Sequence, residues 1–226
     1  MADLDLLDVA IAPSSGLGSH VLDRLRRLII TQEIKAGTHL VESQLSRSFD
    51  VSRGPIRDAL KQLENEGLVE ARRRGMYVVG LSEDDIDELY SLRELIELHA
   101  ITRAMKHKGS DWAPAQHHLD QMGTAAESGD AHAFARADLL FHSALYEVAG
   151  HRRLSKVWNQ YEPTFAVLLD LTNAQDRDLR PTLRDHENLL SKAKAGDHTI
   201  VQKLVAEHMA GSRSRLLAAH RKLTAD

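Results

Sequence analysis

A chain of 226 residues, 42% of them apolar, is long enough for two modest domains. The absence of cysteine excludes disulfides and thiolate metal sites, and the longest apolar run, Phe165–Leu169, is too short for a transmembrane helix. A net charge of −4 argues against a nucleic-acid binder until it is divided along the chain: residues 19–80 carry 11 Lys/Arg against 8 Asp/Glu, whereas both flanks are net acidic.

The N-terminus shows no basic segment followed by an apolar one, so no secretory signal is visible and a cytoplasmic protein is expected. Residues 1–18 end in Ala12-Pro13-Ser14-Ser15-Gly16-Leu17-Gly18 and read as a mobile tail. Ser19 can cap a helix over His20–Thr31, with Val21, Leu22, Leu25, Leu28 and Ile29 as its buried stripe. Residues 34–37 form a turn, and Leu40 is expected to open the next helix.

The stretch from 41 to 79 carries the most information. Val41, Leu45 and Phe49 lie at i, i+4, i+8 of a short helix. Asp50 tolerates a left-handed turn. Ser52 can cap a second helix over Arg53–Glu66, whose apolar stripe is Ile56, Ala59, Leu60 and Leu63. Gly67 fits the residue that ends such a helix. Val69–Ala71 and Met76–Val79 read as two short strands around the basic turn Arg72-Arg73-Arg74-Gly75. Helix, tight turn, helix and basic hairpin make a winged helix-turn-helix. Ser52, Arg53, Arg57 and Lys61 at the second helix are candidate DNA contacts in the major groove. Arg74 and Gly75 are candidates on the wing, where a basic hairpin tip meets phosphate or the minor groove; a merely solvated tip is the alternative.

Beyond Leu81-Ser82 there is no strand pattern. Six amphipathic helices are expected, over about 83–107, 112–128, 131–148, 152–173, 179–195 and 198–222. Pro163 is expected to kink the fourth. The domains are therefore a tail (1–18), a winged helix-turn-helix (19–80) and an all-α six-helix bundle (81–226), a mainly α fold.

Asp138 and His142 are four apart and share a helix face, which suits a bidentate anchor for a metal. Two further helices offer His186 and His208. Three imidazoles and a carboxylate suit Zn, Ni, Mn or Fe; three separately hydrogen-bonded histidines are the alternative. Arg93 can grip a carboxylate through its guanidinium, or pair with Glu97 at i+4 on a solvated face. His117, His118, His132, His151, His198 and His220 read as solvated. His99 and His107 fit core or surface, and Trp112 and Trp158 fit core or interface.

The first part of the chain resembles the GntR family of bacterial transcriptional regulators. The matching residues are Leu40-x-Glu42-x-x-Leu45, Val51-Ser52-Arg53-x-Pro55-Ile56-Arg57-Asp58-Ala59-Leu60, Leu63-x-x-Glu66-Gly67-Leu68-Val69 and Arg74-Gly75-x-x-Val78. Asp50 stands where Gly is usual, and Gly54 where Thr is common. The second part resembles the all-α FCD effector domain of the FadR-type branch. It does so through Leu92-Arg93-x-x-x-Glu97, Asp138-x-x-Phe141-His142-x-x-Leu145-x-x-x-Ala149-Gly150, His186-x-x-Leu189, Gly196-Asp197 and His208. Six helices fit the shorter, VanR-like variant. The resemblance implies a DNA-binding regulator, most often a repressor, and not an enzyme. It implies a homodimer on a palindromic double-stranded operator, with no membrane partner. It also implies a divalent metal held at positions matching Asp138, His142, His186 and His208, and a small carboxylate effector approached by Arg93. A metal-dependent hydrolase and an architectural DNA binder without an effector are the readings from other classes.

Overall fold

The structure is a computed structural model that describes residues 17–225 except Lys108, Gln175 and Arg177. Of the expected N-terminal tail, 1–16 lies outside the described residues. Leu17 and Gly18 already belong to the first helix, which begins before the expected cap at Ser19. The chain divides between Leu81 and Ser82 into two compact units.

In the first unit, α1 (Leu17–Ile30), α2 (Glu42–Ser48) and α3 (Arg53–Asn65) accompany β1 (His39–Leu40), β2 (Val69–Arg72) and β3 (Gly75–Val78). The sheet is antiparallel in the order β1-β3-β2. Leu40 was expected in a helix but pairs with Met76 in β1. A two-residue strand has no period to read, and only its partner strand defines it. Val21, Leu25, Leu28 and Ile29 of α1 meet Leu45 of α2 and Ile56, Ala59, Leu60 and Leu63 of α3 in one core. Asp50 adopts φ +49 in the turn between α2 and α3, as its short polar side chain allows. Ser52 holds the N-cap position of α3, but its hydroxyl makes no cap hydrogen bond. Gly67 follows the helix at φ +76, a conformation that costs glycine least.

This unit buries an ion pair. Arg26 of α1 sends Nε and Nη2 to the Glu66 carboxylate at 2.7 and 2.8 Å, and Nη1 to Asp23 at 2.6 Å. Arg26 and Glu66 are buried and Asp23 is exposed. The pair ties the first helix to the C-terminal end of α3.

The second unit is all helical: α4 (Glu83–Lys106), α5 (Ala113–Ser128), α6 (Ala131–Ala149), α7 (Arg152–Asn173), α8 (Arg180–Ala195) and α9 (His198–Ala225). Ser82 and Asp85 cap α4 reciprocally, and Asp130 caps α6. The helix α7 runs through Pro163 without interruption. The helix α6 is the hub, packed by α4, α5 and α7. It buries Phe134, Ala137, Phe141, Ala144, Leu145 and Ala149 together with Asp138 and His142. A hub helix that buries charge must supply partners for it, and this requirement builds the site below. No described helix is long and apolar enough to cross a membrane.

Candidate functional site

The reader helix α3 buries Ile56, Ala59, Leu60 and Leu63. Ser52, Arg53, Arg57 and Lys61 are therefore left exposed, the last three at i, i+4, i+8 on the outward face. Arg57 leans on Glu42 of α2 through long contacts of 3.3 and 3.4 Å. An exposed pair of that length holds the guanidinium loosely. On the wing, β2 and β3 join through a two-residue turn, Arg73-Arg74, one residue shorter at each end than expected. Arg74 is exposed. Gly75 has φ +131, and a Cβ there would lie 2.5 Å from His39 Nε2. Its glycine is thus accounted for by close approach to His39, which stacks on Tyr77 with ring centroids 4.7 Å apart. Arg72 lies 4.8 Å over the other partner of that stack, Tyr77.

In the bundle, α6, α8 and α9 bring the four expected ligand residues together. Asp138 Oδ1 lies 3.1 Å from His142 Nε2 and 3.1 Å from His186 Nε2. The two Nε2 atoms are 3.2 Å apart. The His208 ring lies 5.2 Å from His142 and 4.5 Å from His186 between centroids. One ring nitrogen from each of the three histidines lies within 4.8 Å of the others. Asp138, His142 and His186 are buried and His208 is half-buried. Phe141 meets both His142 and His186 edge-on and forms an apolar wall.

Proton accounting decides what this arrangement can hold. The Thr182 carbonyl only accepts, so His186 Nδ1 donates to it at 2.7 Å. The Glu97 carboxylate accepts from His142 Nδ1 at 2.9 Å. In each neutral ring, then, Nε2 is bare, by assignment from these partners. Two imidazole lone pairs and a carboxylate oxygen face one another with no proton between them, and only a cation or an added proton relieves this. The spacing fits a cation. Ligand bonds of about 2.1 Å put neighbouring donors about 3.0 Å apart at right angles and about 3.4 Å apart at tetrahedral angles. Outer partners that fix ring tautomers, here Glu97 and the Thr182 carbonyl, are what a metal-ligating histidine requires.

In the absence of a cation, the electrostatics favour the added proton. Burial pushes the Asp138 carboxyl up, but His186 and His142 outweigh it and hold the group well below its ordinary value. Burial and Arg93 push His142 down, yet the carboxylates of Glu97 and Asp138 carry it above the usual imidazole range. His208, desolvated by packing and facing His186 and His142, is held well below it.

Arg93 and Glu97 do pair, at 3.3 Å, but on a buried face rather than the solvated one considered above. Burial pushes Glu97 up, and His142 and Arg93 bring it below its ordinary value. The Arg93 guanidinium, 1% exposed, lies 4.9 Å from the Phe165 ring and 5.6 Å from that of Trp158. Its Nη1 and Nη2 have no hydrogen-bond partner. Two buried guanidinium nitrogens without acceptors are costly unless an anion meets them.

Sequence reasoning missed several participants. Asn173 reaches Asp138 Oδ2 at 3.5 Å from α7, and Thr182 contributes a backbone atom. A carbonyl carries no residue signature, so only coordinates reveal it. Glu97 was legible as the i+4 neighbour of Arg93, but its bond to His142 was not. Among the histidines expected to be solvated, His220 is buried and His151 caps α7 through a bond from Leu154 N–H to its Nδ1. Trp158 belongs to the core, whereas Trp112 is half-buried.

Comparison with known proteins agrees with both units. The family of bacterial regulatory proteins named gntR matches residues 17–79, and the FCD domain matches 88–211. The chain is 30% identical over 192 residues to the gluconate operon transcriptional repressor of Bacillus licheniformis, covering 82% of this chain and 79% of that one. It is 26% identical over 208 residues to the HTH-type transcriptional repressor RspR of Escherichia coli, covering 90% of each. Among solved structures, E. coli McbR/YncC superposes with a TM-score of 0.69 at 22% identity, over 91% of this chain and 99% of that one. The relatives are regulators and not enzymes, which sets the hydrolase reading aside. With both of its units matched, the chain belongs to the GntR family of bacterial transcriptional regulators and carries an FCD domain.

Proposed function

We propose that this protein is a cytoplasmic transcriptional repressor that binds a palindromic operator as a homodimer and releases it when a small carboxylate metabolite reaches a divalent metal in the helical unit. The observation that carries the reading is the convergence of three donor atoms, His142 Nε2, His186 Nε2 and Asp138 Oδ1, with Glu97 joining His142 to Arg93, whose terminal nitrogens are unpaired. His208 completes the donor set. Three imidazoles and a carboxylate suit Zn, Ni, Mn or Fe. The bound ion supplies a Lewis-acid contact for a carboxylate oxygen. Arg93 binds and orients the same carboxylate, and Phe141 keeps water from the rings. Relatives named as gluconate operon repressors support an acid as effector and repression as the mode.

A single reader module buries limited surface on DNA, so two half-sites and a dimer follow from the need for tight binding. Leu95 of α4, 71% exposed beside half-buried Leu92 and Ile96, offers apolar surface for a second copy. The effector must favour one arrangement of that dimer, since equal affinity for both shifts nothing.

Operator titration of chelator-stripped protein, reloaded in turn with each of the four metals, tests the proposal. Gluconate and related acids are expected to weaken operator binding only in reloaded protein. Equal release from stripped protein overturns the metal reading. The pH dependence follows from His142. Its folded pKa is raised, so it keeps a proton to higher pH, and that proton competes with metal. Metal affinity is expected to fall as pH drops from 8 to 6, with the decline starting above about 6.5 and approaching about tenfold per unit for each proton displaced. A flat profile over that range contradicts ligation by His142.

On the DNA side, Arg57→Ala is expected to cost about 1–3 kcal/mol of operator affinity by reading a base edge from α3. Arg74→Ala weakens binding to all sequences alike and lowers the salt slope by about one. Titrations at matched salt, followed by light scattering, check both affinities and the expected two chains per operator. Unchanged affinity for a folded Arg57→Ala variant removes that residue from the reader.

A further inference from the structure

Asp138, His142 and Tyr146 lie at i, i+4, i+8 on α6, so the helix face that carries the donor cluster continues to Tyr146. Tyr146 is 1% exposed, and its hydroxyl has no hydrogen-bond partner. The charged groups that act on the phenol are Glu97 and Arg93, the same two that border the donor cluster. Its ring is stacked on Trp158 at 5.0 Å and 15°. Trp158 is fixed in turn by its stack on Phe165 and by a 2.9 Å bond from its indole N–H to Ser143 Oγ. Held in this way, the phenol cannot turn toward another protein acceptor without leaving its stack.

A buried hydroxyl without an acceptor carries a cost comparable to that of a lost hydrogen bond. Arg93, whose charge acts on the phenol, carries the same deficit at Nη1 and Nη2. Burial raises the phenol pKa, so the group stays protonated and able to donate. The phenol O–H and the two guanidinium nitrogens can thus all donate. They call for a ligand richer in acceptor oxygens than a carboxylate alone. A carboxylate held between the guanidinium and the metal is fixed in place by those two contacts, so an oxygen elsewhere on the ligand is the partner proposed for the phenol.

We propose that Tyr146 is a specificity-determining residue of the effector site: its hydroxyl donates to a ligand oxygen outside the carboxylate, so that the site selects hydroxy- or oxo-acids over plain acids of the same length. This rests on the reading of the site as a carboxylate receptor. A plain acid fills the same space but leaves the phenol unpaired, and a buried polar group left unpaired is the strongest basis for rejecting an analogue that lacks one oxygen.

Calorimetric titration of the metal-loaded, full-length protein tests this with matched pairs: lactate and propionate, malate and succinate, gluconate and hexanoate. The wild type is expected to bind the oxygen-bearing member of at least one pair about tenfold or more tightly than its partner. Tyr146→Phe keeps the ring and its stack on Trp158, and is expected to bring that ratio to about one. Retained metal content shows that the variant site is folded. A preference that survives Tyr146→Phe, or a wild type that binds both members of every pair alike, overturns the assignment of Tyr146. Arg93→Gln separates the two levels. Acid binding that depends on Arg93 while the preference ignores Tyr146 leaves the carboxylate receptor standing and removes Tyr146. If the wild type binds none of the acids, both readings fall.

Discussion

Replacing His186 by alanine is expected to abolish metal binding and effector response while leaving operator binding in the absence of effector largely intact. His186 Nε2 is 3.1 Å from Asp138 and 3.2 Å from His142, so its loss removes a central donor. Metal that binds only the folded form stabilises it by about 2.7 kcal/mol at a hundred times its dissociation constant. For a unit of this size, that is a fall in Tm of roughly 5–10 °C. Truncating a buried imidazole also has a packing cost, so the comparison is made with chelator-treated wild type. The stripped wild type should show most of the fall, and adding metal should restore it but not the variant. The DNA contacts come from residues of the first unit, which the substitution does not touch. Elemental analysis, thermal unfolding and operator titration check the three expectations. A variant that keeps stoichiometric metal and a normal effector response sinks the site.

Glu66→Ala is expected to unfold the reader unit at temperatures where the wild type binds its operator. The carboxylate takes two hydrogen bonds from Arg26, and both side chains are buried. Without it, the guanidinium keeps only the exposed Asp23. Removing one partner of a buried pair costs about 3–5 kcal/mol, because an uncompensated charge stays behind. A reader of some 65 residues has a small core and little stability to spare. Thermal unfolding of the full chain should show an early transition, and operator binding should vanish with it. The pair of substitutions Arg26→Met and Glu66→Leu removes both charges and should recover most of the loss. If the double variant is as damaged as Glu66→Ala, uncompensated charge is not the cause.

The reader and the bundle were legible in the sequence for different reasons. Ile56, Ala59, Leu60 and Leu63 repeat with helical period, and Gly67 and Asp50 mark turns by backbone preference, so the helices of the first unit could be placed. The strand at His39–Leu40 could not, because its identity depends on Met76 and Tyr77 more than thirty residues away. In the bundle, breaks at Gly129, Gly150 and Gly196 fixed the helix ends to within a residue or so. Asp138 and His142 could be paired from their spacing alone; His186 and His208 were candidates as histidines on two further helices, and the family resemblance strengthened their assignment. Burial of the Arg93–Glu97 pair was out of reach, since an i, i+4 spacing is the same on a wet face and a dry one. Tyr146 carried no signal beside any other core aromatic. What distinguishes it is a missing acceptor, which is a property of its surroundings.

The placement of Asp138, His142 and Tyr146 on one continuous helix also constrains how the gene can change length. An α-helix turns about 100° and advances about 1.5 Å per residue. One residue inserted between Asp138 and Tyr146 would rotate everything after it by that angle, carrying one set of side chains off the inward face and another onto it. Substitutions on the outward face, such as at the exposed Arg136 or Leu140, leave the register untouched. Insertions around Gly129 or Gly150 fall in turns between helices and can be absorbed there. The reading frame of α6 is therefore rigid by whole residues, whereas the lengths of its flanking connections are free to drift.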